Sequence, residues 1–262
     1  MERRRGATAA FVRRITRRGC RTGRLVVLLA HQVGVLMIER RRAAAHVFVD
    51  DIEHPVAHDD DQHHLQRVLR LRDGETISTS DGRGAWRLCV WSSGSLEVTS
   101  PTQVEARGRE LSIGFALCKG DKPEIIVQKL TELGVDRIVP FVSQRSVVKW
   151  DGDKAQRNIE RWRKVAREAA MQSRQVFLPT IDEVSPSVAD LVARSPWSVA
   201  EPDGPAVGTH VHAIAVGPEG GFTEEEVARF ASRVGLPGGI LRAETAAVVA
   251  GALFGRGSLI DP

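Results

Sequence analysis

Residues 215–223 read Ala215-Val216-Gly217-Pro218-Glu219-Gly220-Gly221-Phe222-Thr223, followed by Glu224-Glu225-Glu226. An apolar strand ends in a loop with three glycines and a proline. Thr223 and Glu226 then form a capping box that opens a helix. Glycine permits positive φ and close backbone approach, and Pro218 stiffens the turn. Such a loop presents a rigid rim of N–H and C=O groups suited to a flat heterocycle; an ordinary strand-to-helix turn is the other open reading. It is not a phosphate loop, because neither GxxxxGK-S/T nor GxGxxG is present. Glu219, Glu224, Glu225 and Glu226 would also repel a pyrophosphate.

Outward from this loop, strands alternate with helices, the pattern of an α/β sheet with parallel pairs. Strands are expected at Leu111–Leu117, Arg137–Val142, Val176–Ile181, Trp197–Ala200, Ala213–Val216 and Gly239–Leu241. Asp121 as cap, Pro123 in the first turn and Glu124 completing a capping box open a helix whose buried stripe is Ile126, Leu130 and Leu133, with Gly134 as its stop. Arg157–Arg174 reads as a second helix, with Ile159, Trp162, Ala166 and Ala169 on one face. Val227, Phe230, Ala231 and Val234 extend the helix that Thr223 opens, and Thr245–Phe254 is the last one. Gly238-Gly239-Ile240-Leu241-Arg242-Ala243-Glu244-Thr245-Ala246 repeats the strand–loop–helix arrangement, although Arg242 and Glu244 also fit a plain surface ion pair.

Residues 45–106 read differently. Short strands at His46–Val49, Glu75–Ser80, Trp86–Trp91 and Leu96–Ser100 are separated by turns at Asp81-Gly82-Arg83-Gly84 and Ser92-Ser93-Gly94-Ser95. One helical piece, Asp61–Leu71, interrupts them, and the set suggests a small barrel. Three parts result: a basic extension at 1–44, a barrel at 45–106 and an α/β domain at 107–262.

The chain has 262 residues, 42% hydrophobic and 27% charged, which excludes a largely disordered chain and a multi-span membrane protein. The net charge of +4 is unevenly placed. Residues 1–42 hold twelve Arg, no Lys and two Glu, hence +10, which leaves −6 for the remainder. Global basicity therefore says nothing about nucleic acid, and RNA contact has to rest on local patches. The arm is open to three readings: an overextended start, a disordered arm that touches RNA, or an export signal built from the basic region, the apolar run 25–38 and Ala43-Ala44-Ala45. That run is too short to span a bilayer. Cys20, Cys89 and Cys118 form neither a CxxC nor a disulfide framework, which fits a reducing compartment. His210 with His212, and His63 with His64, lack a third ligand at convincing spacing, so no metal is implied. Local basic patches are carried by Lys119, Lys122, Lys129, Arg145 and Lys149, and by Arg163, Arg167 and Arg174 on the 157–174 helix; a solvated face is the alternative.

Six segments together carry a family resemblance: HHLQRVLRLRDGE (63–75), KGDKPEIIVQKLTELGVDRIVPF (119–141), SQRSVVK (143–149), ERWRKVAREAAMQSRQ (160–175), GPEGGFTEEE (217–226) and LRAETA (241–246). Over residues 46–255 the chain resembles the ribosomal RNA small subunit methyltransferase E family, in the SPOUT class. The resemblance implies an α/β fold: a trefoil-knotted SPOUT methyltransferase domain behind a PUA-like barrel that helps hold RNA. It implies S-adenosylmethionine-dependent methylation of N3 of a uridine in 16S rRNA of the small ribosomal subunit, by a cytoplasmic homodimer. The cofactor would be held by Val216, Gly217, Pro218, Glu219, Gly220 and Gly221, and by Ile240, Leu241, Arg242, Thr245 and Ala246. Ala200-Glu201-Pro202 would form a third wall. Arg242 would stabilise charge on the uracil oxygens, with Glu219 or Glu244 as proton acceptor. The basic residues named above, from Lys119 to Arg174, would contact rRNA. Ribose 2′-O methylation and a non-catalytic rRNA-binding assembly factor are the alternatives. One departure stands out: Leu236-Pro237-Gly238-Gly239 is shorter and less polar than the family pattern, with Gly239 where an Arg is expected.

Overall fold

A computed structural model describes residues 34–148, 150–205 and 211–254. The expectations for residues 1–33, Lys149 and His210 lie outside them. The chain divides into two compact units, one holding residues up to Thr79 with Trp86–Gln103, the other Ser80–Ala85 with the residues from Val104 on.

The first unit is built on a five-stranded sheet: β1 (Ala45–Phe48), β2 (Thr76–Ser80), β3 (Ala85–Ser92) and β4 (Ser95–Val98) in that order, with β5 (Gln103–Val104) also pairing with β3. The β3–β4 hairpin places Ser92 opposite Ser95 around a two-residue turn in which Ser93 and Gly94 both take positive φ, 48° and 87°. This is the conformation that a tight hairpin with right-handed strand twist demands. Val47, Ile77, Trp86, Leu88 and Trp91 fill the interior. The helical piece expected at 61–71 is a short α1 (Asp59–His63) that passes into a π-helical turn, His64–Val68. It stops at Arg70, whose φ is 53°. Residues 34–42, read as part of the basic arm, are helical. Arg40 there is only 6% exposed, and its guanidinium lies 4.6 Å from the centre of the Trp86 ring. A cation over the indole face is a favourable contact that ties this helix to the barrel.

The second unit is a six-stranded sheet: β6 (Ser112–Ala116), β7 (Arg137–Phe141), β8 (Thr180–Ile181), β9 (Ser198–Ala200), β10 (Ala213–Val216) and β11 (Ser232–Val234). The spatial order is β11-β9-β10-β6-β7-β8, and every pairing is parallel. Both faces are covered, as an all-parallel sheet requires. One face (Ile113, Phe115, Ile138, Ile214) packs on α2 (Lys122–Glu132), α3 (Gly152–Ser173) and α6 (Ala243–Phe254). The other (Val139, Phe141, Val199, Ala215) packs on α4 (Val188–Arg194) and on Phe222 and Phe230. The close approach of α6 to α2 needs Gly251, where a Cβ would lie 2.8 Å from Leu130.

Three expectations are corrected here. The helix opened by Thr223 is only α5 (Glu224–Val227). Ser232–Val234, expected as its continuation, is instead β11, paired with β9 through Glu201 N–H to Val234 O at 3.0 Å and a Ser198–Ser232 hydroxyl contact at 2.7 Å. Residues 239–241 form no strand, and α4 had no counterpart in the sequence reading. For Ser232–Val234 and α4, pairing across the sheet or packing on its face outweighs local periodicity, whereas Gly239 and Ile240 stay exposed and 239–241 pair with no strand among the described residues.

Candidate active site

A parallel sheet delivers the loops that follow its strands to a single edge, and ligands bind where the order of connections reverses. In this sheet the reversal lies between β6 and β10. The loops after β9, β10 and β11, which are spatial neighbours, enclose a cavity of about 540 Å³. That is within the usual range for small-molecule sites. Its walls are residues 200–202, 216–219 with 221–222, and 239–243, with Leu236, Ala246 and Arg145. Of the residues expected to hold a cofactor, all but Gly220 and Thr245 line it.

The first wall is tightly built. Pro218 O accepts from Gly221 N–H at 2.8 Å, closing a turn that needs φ of +67° at Gly221. A Cβ on Gly217 would sit 2.9 Å from the Phe222 ring, so only glycine lets the chain turn over that aromatic. Thr223 caps α5 and Glu226 returns the bond, as the capping box predicts. Beyond β7, Arg145 donates to Gly220 O at 2.9 Å. Sequence reasoning had placed Arg145 only among RNA contacts; the signal for a place at the cavity would have been its position just after a strand of the same parallel sheet.

Charges at this edge are organised around Lys122, at the start of α2. Its ammonium bonds the Glu219 carboxylate and lies 3.9 Å from Glu244 Oε2. Glu219 holds the lysine above its ordinary pKa. In turn, Lys122 holds the Glu219 carboxyl below the usual carboxylate value. Cys118, buried beside them, is pushed up to about 12, chiefly by burial and then by Glu219. It is an inert thiol at neutral pH. Of the three groups expected in catalysis, Arg242 and Glu219 line the cavity, whereas Glu244 does not and serves as the second counter-charge of Lys122.

The expected RNA-contacting residues do not form one surface. Lys119 is exposed, and its charge acts on Glu219. Lys129 pairs with Glu132 at 2.9 Å on α2. Arg163 bonds Glu183 and Ile181 O, Arg174 bonds Met171 O, and Arg167 points a guanidinium nitrogen at Met171 Sδ, 3.2 Å away. Lys119, Lys122 and Arg145 gather at the carboxyl edge of the sheet; the others lie along α2 and α3.

Comparison with known proteins agrees with this geometry. Residues 105–255 match an RNA methyltransferase domain family and residues 58–94 an RNA methyltransferase PUA domain. The ribosomal RNA small subunit methyltransferase E of Bacillus subtilis is 34% identical over 220 residues, covering 72% of this chain and 84% of that one. Its counterpart in Mycobacterium bovis is 31% identical, covering 73% and 82%. The crystal structure of a ribosomal RNA small subunit methyltransferase E from Neisseria gonorrhoeae, bound to S-adenosyl methionine, superposes with a TM-score of 0.69 at 23% identity, covering 79% of this chain and 95% of that one. The fold is thus the α/β SPOUT-type methyltransferase domain preceded by a PUA-like barrel, and the chain belongs to the ribosomal RNA small subunit methyltransferase E family.

Proposed function

We propose that this chain methylates N3 of a uridine in 16S rRNA of the small ribosomal subunit, with S-adenosylmethionine as donor. The observation that carries the reading is the cavity walled by three loops of adjacent parallel strands, in a chain of this family. Its residues fit the donor. Val216, Phe222, Leu236 and Leu241 would offer apolar surface to an adenine, and the carboxylates of Glu201 and Glu219 in the same lining would complement a sulfonium's charge. The donor supplies an electrophilic methyl group on a positively charged sulfur.

Uridine N3 carries a proton at neutral pH and is a weak nucleophile until that proton leaves. Glu219 is the proposed acceptor, because it lines the cavity and Lys122 keeps it ionised. Arg242, on the facing wall, would stabilise the negative charge that grows on the ring oxygens. N3 is on the pairing edge, so the base has to be unpaired to enter. Lys119 and Arg145 are proposed to hold the RNA backbone at the entrance; Arg145→Ala should reduce the salt slope of RNA binding by about one. We further propose a homodimer that works in the cytoplasm.

The test is incubation of small subunits lacking the modification with labelled donor, followed by nucleoside analysis. Label in N3-methyluridine is expected. Label on a ribose oxygen, or no label, overturns the reading.

A further inference from the structure

Glu226 is only 3% exposed, yet it is a carboxylate on a four-residue helix outside the cavity lining. The capping box explains one of its bonds, Thr223 N–H donating to Oε2 at 3.1 Å. It does not explain the other two. Gln144 N–H donates to Oε1 at 2.8 Å, and Ser143 Oγ donates to Oε2 at 3.1 Å. Both donors belong to the loop after β7, a self-closed turn in which Ser146 Oγ accepts from Ser143 N–H at 3.1 Å. The next residue in that turn is Arg145, whose guanidinium reaches over the first wall to Gly220 O. A Cβ on Gly220 would touch Arg145 Cβ at 3.5 Å, so the arginine lies along the glycine turn.

One buried carboxylate thus ties together two loops more than 70 residues apart. We infer that Glu226 is a positioning residue: it fastens the 143–146 turn to the cavity rim, and so sets Arg145 where RNA enters. The inference rests on the proposed methylation of RNA and goes beyond it by assigning a role to a residue that touches neither substrate.

Glu226→Ala tests it, because it removes both acceptor oxygens and leaves the Gln144 N–H, the Ser143 hydroxyl and the Thr223 N–H without their shared partner. In hydrogen exchange, the Gln144 amide should exchange about tenfold faster than in the parent protein, a readout independent of activity. In methylation assays the KM for RNA should rise about tenfold, with kcat and the donor Kd within about twofold. In an Arg145→Ala background the same change should move the KM by less than about twofold, since Glu226 acts through that arginine. Asp136→Ala, which removes a buried acceptor of the Leu111 N–H at the amino ends of β6 and β7, the opposite edge of the sheet from both loops, controls for general loss of stability and should leave the KM for RNA as it was. Unchanged exchange at Gln144, or equal effects with and without Arg145, overturns the inference. A parent protein that fails to methylate RNA would instead sink the function proposed above, while the exchange experiment still decides whether Glu226 holds the turn.

Discussion

The two main walls of the cavity are built in opposite ways. The wall at 217–223 is braced from several sides: Gly221 N–H bonds Pro218 O, Arg145 holds Gly220 O, Lys122 holds Glu219, and Glu226 anchors Thr223. The wall at 236–242 is open. Gly238 takes a φ of +114°, a Cβ on Gly239 would meet nothing within 4 Å, and Ile240 is 92% exposed. The contrast teaches a division of labour. One wall is held in place by the protein's own bonds, whereas the other has open space around Gly239 and an exposed Ile240.

The comparison can be broken most severely at Arg242, the charged group on the open wall. Arg242→Ala should lower the single-turnover methylation rate by about a hundredfold or more, with donor affinity little changed. A rate near that of the parent would show that the open wall supplies no charge to the reaction. Next comes the braced wall. Gly217→Val places a side chain against Phe222 and should cost about 2 kcal/mol of unfolding free energy by denaturant titration, with donor affinity down at least about tenfold. If both survive, that wall is not rigid.

Smaller effects sharpen the contrast. Because the Glu219 pKa is lowered, its pairing with Lys122 stabilises the fold above the ordinary carboxylate range. That contribution is lost as pH falls through the depressed value. Glu219→Gln should therefore flatten the acid limb of a stability–pH curve. Its side chain is 46% exposed, so the difference should be at most about 1 kcal/mol, and an unchanged limb would remove the pair from the bracing. The smallest expected effect on the free protein is at Ile240. Ile240→Ser should move stability by no more than about 0.5 kcal/mol, yet reduce the rise in Tm caused by the donor. A clear loss of stability without ligand would mean the open wall is already packed.

Much of this was legible from residues alone, wherever the signal is local. The capping box at Thr223 and Glu226, the buried stripe of Ile126 and Leu130, and the Ser93-Gly94 turn depend on side chains a few positions apart, and the structure shows each. The misreadings are of the other kind. Phe230 and Val234 keep helical spacing, yet Ser232–Val234 is a strand, because the open edge of β9 offers backbone partners that no window of sequence contains. Lys122 looked like a phosphate contact; it is flanked by two carboxylates that arrive from 97 and 122 positions later. Arg145 looked like an RNA contact alone, but it also braces a glycine turn.

From the residues in order come the parallel-sheet pattern, the glycine turns and the Thr223 cap, since these answer to short-range sterics and hydrogen bonding; the cap expected at Asp121 is not made, because its backbone is already helical there. Which loops meet was settled by strand order. β11, β9 and β10 lie side by side although β9, β10 and β11 follow one another along the chain. All run the same way, so segments 200–202, 216–222 and 239–243 are brought to one edge and close around one cavity. That juxtaposition, with the buried carboxylate of Glu226 spanning two loops, is a consequence of backbone pairing over long separations, which no local pattern encodes.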